Sequence, residues 1–215
     1  MNSTIFFDLD GTIIDSKLDI ANSINASFKH FSLSPLPNKE IYKFVGNGVR
    51  DLIEDCLLKQ NKLQIFYEFL EYFLAYYYNH IVDNTYVYEG TIPVLEKLSK
   101  KHELFIVTNK STNFSLKVVK EFNLEKYFTD IVCGDTFEFK KPHPQPILEL
   151  IKKYGIKDKA EKLFIGDSEN DILSAKAANI KIAWISYGFR DKTILKNNPV
   201  DYIINRPADI LSVLS

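Results

Sequence analysis

The stretch Thr4-Ile5-Phe6-Phe7-Asp8-Leu9-Asp10-Gly11-Thr12-Ile13-Ile14-Asp15 constrains this chain more than any other. Thr4 to Phe7 are β-branched or aromatic and read as a short buried strand, which stops on two carboxylates one residue apart and then a glycine. At the carboxyl end of a strand in an open α/β sheet the backbone opens into a crevice where ligands bind, and Gly11 permits a tight turn there. Two aspartates so placed can hold a hard cation, attack an electrophile or move a proton. Asp and Gly after an apolar run also make an ordinary turn. A calcium-binding loop would need further oxygen ligands at alternating positions, which Leu9, Thr12 and Ile13 do not supply. The functional reading rests on three later stretches of the same form, an apolar strand and then a polar tip.

Between the first strand and residue 100 the pattern is helical. Apolar residues recur at helical spacing from Asp19 to Phe31, before Ser34-Pro35-Leu36-Pro37; Asn38 is the N-cap expected of a short helix from Lys39 to Val45. Gly46-Asn47-Gly48 breaks it, Val49 to Leu58 continues as a helix, and Ile65 to Ile81 predicts a long one crowded with aromatic residues. That aromatic stripe reads as packing between helices or at a dimer face rather than as a base-stacking surface. No other strand is expected before residue 100.

Beyond it, strands and helices alternate. Helices are expected from Thr91 to Lys101, Ser111 to Phe122, Gln145 to Tyr154 and Asn170 to Ala178, with strands from Leu104 to Val107, Asp130 to Cys133, Lys162 to Ile165 and Ile182 to Ile185. A weaker strand at Tyr202 to Ile204 precedes a last short helix. Such alternation implies a parallel sheet with helices on both faces. A βαβ unit takes about 30 residues, whereas Asp8 and the next strand tip at Thr108 are far more widely spaced, so about 70 residues form an all-helical insertion. An insertion leaving at a strand tip sits over the crevice, as a lid would.

The later tips carry their own chemistry. Thr108-Asn109-Lys110 places a hydroxyl and the free amides of a helix start where an anion would sit. In Lys141-Pro142-His143-Pro144 the prolines rigidify the loop that carries Lys141. Gly166-Asp167-Ser168-Glu169-Asn170-Asp171 sets Asp167 at a strand tip and Asp171 one helical turn on; the same letters also suit a helix-capping arrangement. Together the tips gather Asp8, Asp10, Asp167 and Asp171 opposite Lys141, Thr108 and the Asn109 amide. Four carboxylates that close raise one another's pKa values unless a cation sits among them, and oxygen ligation with room for water suits Mg²⁺. A carboxylate nucleophile, a divalent ion, a lysine and amide donors fit phosphoryl transfer.

On these four motifs the chain resembles the haloacid dehalogenase superfamily, and within it the phosphoglycolate phosphatase-like branch. The resemblance covers nearly the whole chain and implies an α/β fold: a Rossmann-like parallel sheet core with helices on both faces, over residues 1–15 and 87–215. A small all-helical cap, residues 16–86, is inserted after the first strand. It further implies that Asp8 is the nucleophile that becomes an aspartyl-phosphate, and that Asp10 protonates the leaving oxygen and then deprotonates the hydrolytic water. Mg²⁺ would be held by Asp8, the Asp10 backbone carbonyl and Asp167, with Asp171 behind them; Thr108, the Asn109 amide and Lys141 would hold the phosphoryl oxygens. Lys141 is chosen over Lys140 because the family's lysine immediately precedes proline.

For the substrate, Phe44-Val45-Gly46-Asn47-Gly48-Val49-Arg50 resembles the cap loop of phosphoglycolate phosphatases, as do Asp15-Ser16 and Tyr88-Glu89-Gly90 in their places. Arg50 or the amides of Gly46, Asn47 and Gly48 are expected to take a substrate carboxylate, with Lys17 and Lys43 competing for that role. The implied reaction is hydrolysis of 2-phosphoglycolate; pyrophosphate, nucleotide or sugar-phosphate hydrolysis needs the same core and a different lid. A β-phosphoglucomutase-type enzyme would carry a histidine soon after the first motif, and Ser16-Lys17-Leu18-Asp19-Ile20 has none. A dehalogenase would not need Asp10, a phosphonatase would use a cap lysine, and a non-enzymatic phospho-accepting module would lack the lid.

Composition bears on partners. Formal net charge is -1 and charged residues are 26%, a balance that points away from nucleic acid and anionic membranes and leaves a small phosphorylated substrate as the expected partner. Cys56 and Cys133 stand far apart without metal spacing and read as reduced thiols of a cytoplasmic protein. No apolar run approaches membrane-spanning length. The chain is expected to be a monomer or a homodimer.

Overall fold

The computed structural model describes residues 3–157 and 159–214. Six strands form one parallel sheet: β1 (Thr4–Phe7), β4 (Glu103–Val107), β5 (Asp130–Val132), β6 (Lys162–Gly166), β7 (Lys181–Ile185) and β8 (Tyr202–Ile204), in the order β5-β4-β1-β6-β7-β8. β1 lies between β4 and β6, where the strand order reverses; in such sheets this is where the crevice for ligands opens. Phe7 pairs in register with Ile106 on one side and Ile165 on the other. Asp8, Thr108 and Asp167 therefore leave the sheet within about one residue of the same level.

Both faces of the sheet are covered, which explains why its strands are continuous apolar runs rather than alternating ones. Ile5 and Phe7 join Leu104, Ile106 and Ile165 on one face, packed by α5 (Thr91–Leu98) and α6 (Thr112–Glu121). Phe6, Phe105, Phe164 and Trp184 point the other way, against α7 (Gln145–Lys153) and α8 (Glu169–Ala177). The alternation along β1 thus assigns neighbouring side chains to two separate apolar clusters. The last element, Pro207–Val213, is 3-10 rather than α-helical.

After the first tip come α1 (Lys17–His30), α2 (Asn38–Ile41), α3 (Val49–Lys59) and α4 (Phe66–His80). The helix expected from Lys39 to Val45 is only one α turn, continued as a 3-10 turn at Tyr42–Phe44. The aromatic stripe of α4 divides by face. Phe69, Phe73 and Tyr77 are buried; Phe69 meets Phe28 of α1 at 5.1 Å between ring centres, and Tyr77 meets Phe114 of α6 at 4.9 Å. On the outer side Tyr72 stacks on His30 at 3.9 Å, while Tyr67 is exposed. Packing between helices accounts for the inner face.

The expectation of no further strand before residue 100 is corrected. β2 (Ile14–Asp15) and β3 (Tyr86–Val87) pair antiparallel, Ile14 with Val87 and Asp15 with Tyr86. Two residues carry no alternation that a sequence pattern can reveal, and the pairing forms only because the helices between bring the ends together. Asp19 helps to close that loop. Its buried carboxylate accepts from the backbone amides of Asn84 and Thr85, from the Asn84 side-chain amide at 2.8 Å and from the Thr85 hydroxyl at 2.7 Å. Both cysteines are buried and free. Among the described residues no helix is long and apolar enough to cross a membrane.

Candidate active site

The tips of β1, β4 and β6 and the loop before α7 converge. One oxygen each from Asp8, Asp167 and Asp171 lies within 4.8 Å of the others, and all three residues are buried. Lys141, also buried, extends its ammonium to Asp8 at 2.8 Å and Asp171 at 2.7 Å. Three carboxylates thus face one ammonium. Burial, with Asp171 adding to it, pushes the Asp8 carboxyl well above the usual carboxylate range against the pull of Lys141. Burial and Asp171 likewise raise Asp167, to about 7. A divalent cation beside Asp8 and Asp167 would bring the group to neutrality, so the residues present fit one.

Each group is fixed by its surroundings. Asp8 Oδ1 accepts from the Leu9 amide at 2.7 Å and pairs with Lys141 at 2.8 Å. The Asp167 carboxylate accepts from the Phe189 amide at 2.6 Å, and its backbone carbonyl accepts from the buried Trp184 indole at 2.7 Å. Asp171 is fully engaged: Oδ1 takes Lys141, while Oδ2 takes the amide and hydroxyl of Ser168 at 2.9 and 2.7 Å. Asp171 therefore orients Lys141 and also caps α8, as the helix-capping reading of this stretch expects. Gly11 has φ +84°, and a Cβ there would stand 2.6 Å from Asp167 Oδ2; no other residue type suits that turn.

Asp10 faces elsewhere than the three clustered carboxylates. Its side chain accepts from the Ser16 hydroxyl at 2.5 Å and pairs with Lys110 Nζ at 3.0 Å. Lys110, whose role the sequence does not mark, also donates to the Tyr77 hydroxyl at 2.7 Å. Burial opposes its charge, but Asp10 and Tyr77 outweigh it and hold the ammonium above the usual lysine range. The signal was its place directly after Thr108-Asn109; that a helical-segment tyrosine would meet it could not be read from spacing.

Thr108 and Asn109 lie where expected, both buried at the tip of β4. The Asn109 side chain has a further task, donating to the Gly46 carbonyl at 3.0 Å and the Lys141 carbonyl at 2.9 Å. Gly46 and Gly48 line a cavity of about 60 Å³ above Asp8, Asp10 and Thr108, whose remaining wall includes Ile20, Val45, Leu52, Phe73 and Phe114. Asn47 turns outward to Asn170 at 2.7 Å and through its carbonyl to Lys140 at 2.5 Å.

Arg50 is not brought to this cavity. It is exposed, with its guanidinium over the Phe66 ring at 5.4 Å, because the first turn of α3 directs it away from the sheet. Lys17 pairs with Asp15 at 2.8 Å, and Lys43 lines an open groove on the outer side of the Tyr42–Phe44 turn. Arg190, in no motif of the sequence, follows β7 and donates to the carbonyls of Tyr42 at 3.3 Å and Val45 at 2.5 Å.

Comparison with known proteins agrees with this geometry. The family model described as haloacid dehalogenase-like hydrolase matches residues 5–185, and the chain belongs to that family. Within it the chain is phosphoglycolate phosphatase-like. It is 34% identical to a phosphoglycolate phosphatase of Aquifex aeolicus, across 98% of this chain and 95% of that protein. It is 31% identical to one of Haemophilus influenzae, across 98% and 97%. Among solved structures, a predicted phosphoglycolate phosphatase from Haemophilus somnus superimposes with a TM-score of 0.93 at 29% identity, covering 100% of this chain and 98% of that one.

Proposed function

We propose that this protein is a Mg²⁺-dependent phosphatase that hydrolyses 2-phosphoglycolate to glycolate and phosphate through an aspartyl-phosphate on Asp8. The observation that carries the substrate is the cavity. It is small, mostly apolar and closed by Gly46 and Gly48 over the two aspartates of β1's tip. A sugar or nucleoside leaving group would bring several hydroxyls against Ile20, Leu52 and Phe73, with Tyr77, Lys110 and Ser111 the nearest polar groups on that wall, at a cost of about 1–3 kcal/mol for each left unpaired. A two-carbon leaving group avoids that cost. The phosphoglycolate phosphatases of Aquifex aeolicus and Haemophilus influenzae, similar over nearly their full lengths, support the same choice.

The residues divide the work. The Asp8 carboxylate attacks phosphorus, and the bond from phosphorus to the ester oxygen breaks while Asp10 gives that oxygen a proton. Asp10 then takes a proton from a water whose oxygen attacks the aspartyl-phosphate, restoring the Asp8 carboxylate and releasing phosphate. Thr108, the Asn109 amide and Lys141 hold the phosphoryl oxygens, and Asp171 keeps Lys141 in place. Mg²⁺, held by Asp8, Asp167 and the Asp10 carbonyl, would supply neutralisation of the transferring group's charge. Residues 16–86 act as the lid that excludes water from the cavity.

Phosphate release tests this reading, measured with Mg²⁺ and with EDTA on 2-phosphoglycolate, p-nitrophenyl phosphate, pyrophosphate, a nucleoside monophosphate and glucose phosphates. A kcat/KM for 2-phosphoglycolate about tenfold above the rest, about 1.4 kcal/mol of discrimination, is expected. Flat selectivity removes the substrate and keeps the phosphatase. No Mg²⁺-dependent release from any ester, or undiminished release by Asp8→Asn, removes both.

A further inference from the structure

The ammonium of Lys110 is buried at the cavity wall, where the nucleophile's own lysine does not reach. Lys141 pairs with Asp8 and Asp171 beneath the cavity, whereas Lys110 is, among the described residues, the one cationic residue of those that line it. Lys110 contacts both Asp10 oxygens, at 3.0 and 3.2 Å, and the Tyr77 hydroxyl at 2.7 Å. These three contacts match the ammonium's three protons, so a carboxylate in the cavity would share an N–H with Asp10 or take the one that goes to Tyr77. Tyr77 accepts from Lys110, which leaves its own hydroxyl proton to donate. Ile20, Val45, Val49, Leu52, Phe73 and Phe114 make the rest of the lining largely apolar.

We propose that Lys110, with the Tyr77 hydroxyl beside it, is the specificity-determining pair that recognises a carboxylate on the substrate's leaving group. The inference rests on the function proposed above. Position follows from chemistry: Asp10 serves the leaving oxygen, and Lys110 is in direct contact with Asp10, so a carboxylate one carbon beyond that oxygen comes within the ammonium's reach. Nothing else lining the cavity can neutralise such a charge, and burying it unpaired would be prohibitive. Because Tyr77 belongs to α4 and Lys110 follows β4, the anion would bind across the seam between the helical segment and the sheet, and its arrival would favour the closed arrangement.

Equilibrium binding in a non-hydrolysing background isolates the effect. Asp8→Asn is titrated in Mg²⁺ with 2-phosphoglycolate and with ethyl phosphate, which has the same chain length and lacks the carboxylate. The background is expected to prefer 2-phosphoglycolate by about tenfold or more, the size of a charge-assisted hydrogen bond in a buried site. Adding Lys110→Gln, which keeps an N–H donor and removes the charge, or Lys110→Met should erase that preference and leave ethyl phosphate binding within about twofold. A preference that survives both substitutions overturns the proposal, as does its absence from the background or an equal loss on both esters. Wild-type phosphate release from ethyl phosphate, measured in parallel, reports separately on whether the protein is a phosphatase at all.

Discussion

The side-chain amide of Asn109 donates to the Gly46 carbonyl at 3.0 Å, joining the tip of β4 to the loop that roofs the cavity. Asn170 donates to the same carbonyl at 3.3 Å, so one backbone oxygen of the helical segment receives two donors from the sheet's tips. Around it, Lys140 pairs with Asp51 at 3.1 Å and Arg190 reaches the carbonyls of Tyr42 and Val45. The cavity is therefore closed by polar contacts made one at a time across a seam.

Asn109→Ala is expected to lower kcat/KM through a rise in KM and to cost about 1–3 kcal/mol of stability, because it leaves the buried Lys141 carbonyl and the Gly46 carbonyl short of a donor while keeping the backbone amide. Steady-state kinetics together with urea unfolding check this. Unchanged KM with reduced kcat would mean that the side chain serves the reaction rather than closure.

Asp167 predicts a pH dependence. Its folded pKa is about 7 against an ordinary 3.8, so between those values the folded chain holds a proton that the unfolded chain has released. That contribution is present below about pH 4 and is lost as pH rises toward 7. In EDTA, the Tm of Asp167→Asn minus that of the wild type should grow from about pH 5 to about pH 8, and Mg²⁺ should shrink the difference. A difference independent of pH would show that the carboxylate is not held at this cost.

Asp19→Ala should destabilise the fold by about 3 kcal/mol, since it strands the buried amide of Thr85 together with other donors, and Asp19→Asn should cost less. Chemical denaturation decides; a loss below about 0.5 kcal/mol would show that the loop before β3 finds other partners.

Arg50→Ala is expected to change kcat/KM on carboxylated and uncarboxylated esters equally, within about twofold, as suits an exposed side chain resting on Phe66. A selective loss on the carboxylated ester would bring Arg50 back to the substrate and weaken the case for Lys110.

Residue pattern alone determined the sheet, because a strand buried on both faces must be a continuous apolar run, and each such run here ends in polar residues that have nowhere to go but the crevice. Asp8, Thr108 and Asp167 were legible for that reason: their places depend on strand ends, which local pattern marks, whereas Lys141, in the loop before α7, was marked by its place before Pro142. Tertiary structure alone decided what the helical segment contributes. Tyr77 and Lys110 are 33 positions apart and meet only when α4 packs against α6. The paired ends Ile14–Asp15 and Tyr86–Val87 are too short to signal themselves. Arg50 had the right charge in the right loop, yet helix direction turned it to solvent, and Arg190 reached in from the far end of the chain. Local propensity sets which residues lie at a tip; which side chains face one another across a seam depends on packing angles that no stretch of sequence encodes by itself.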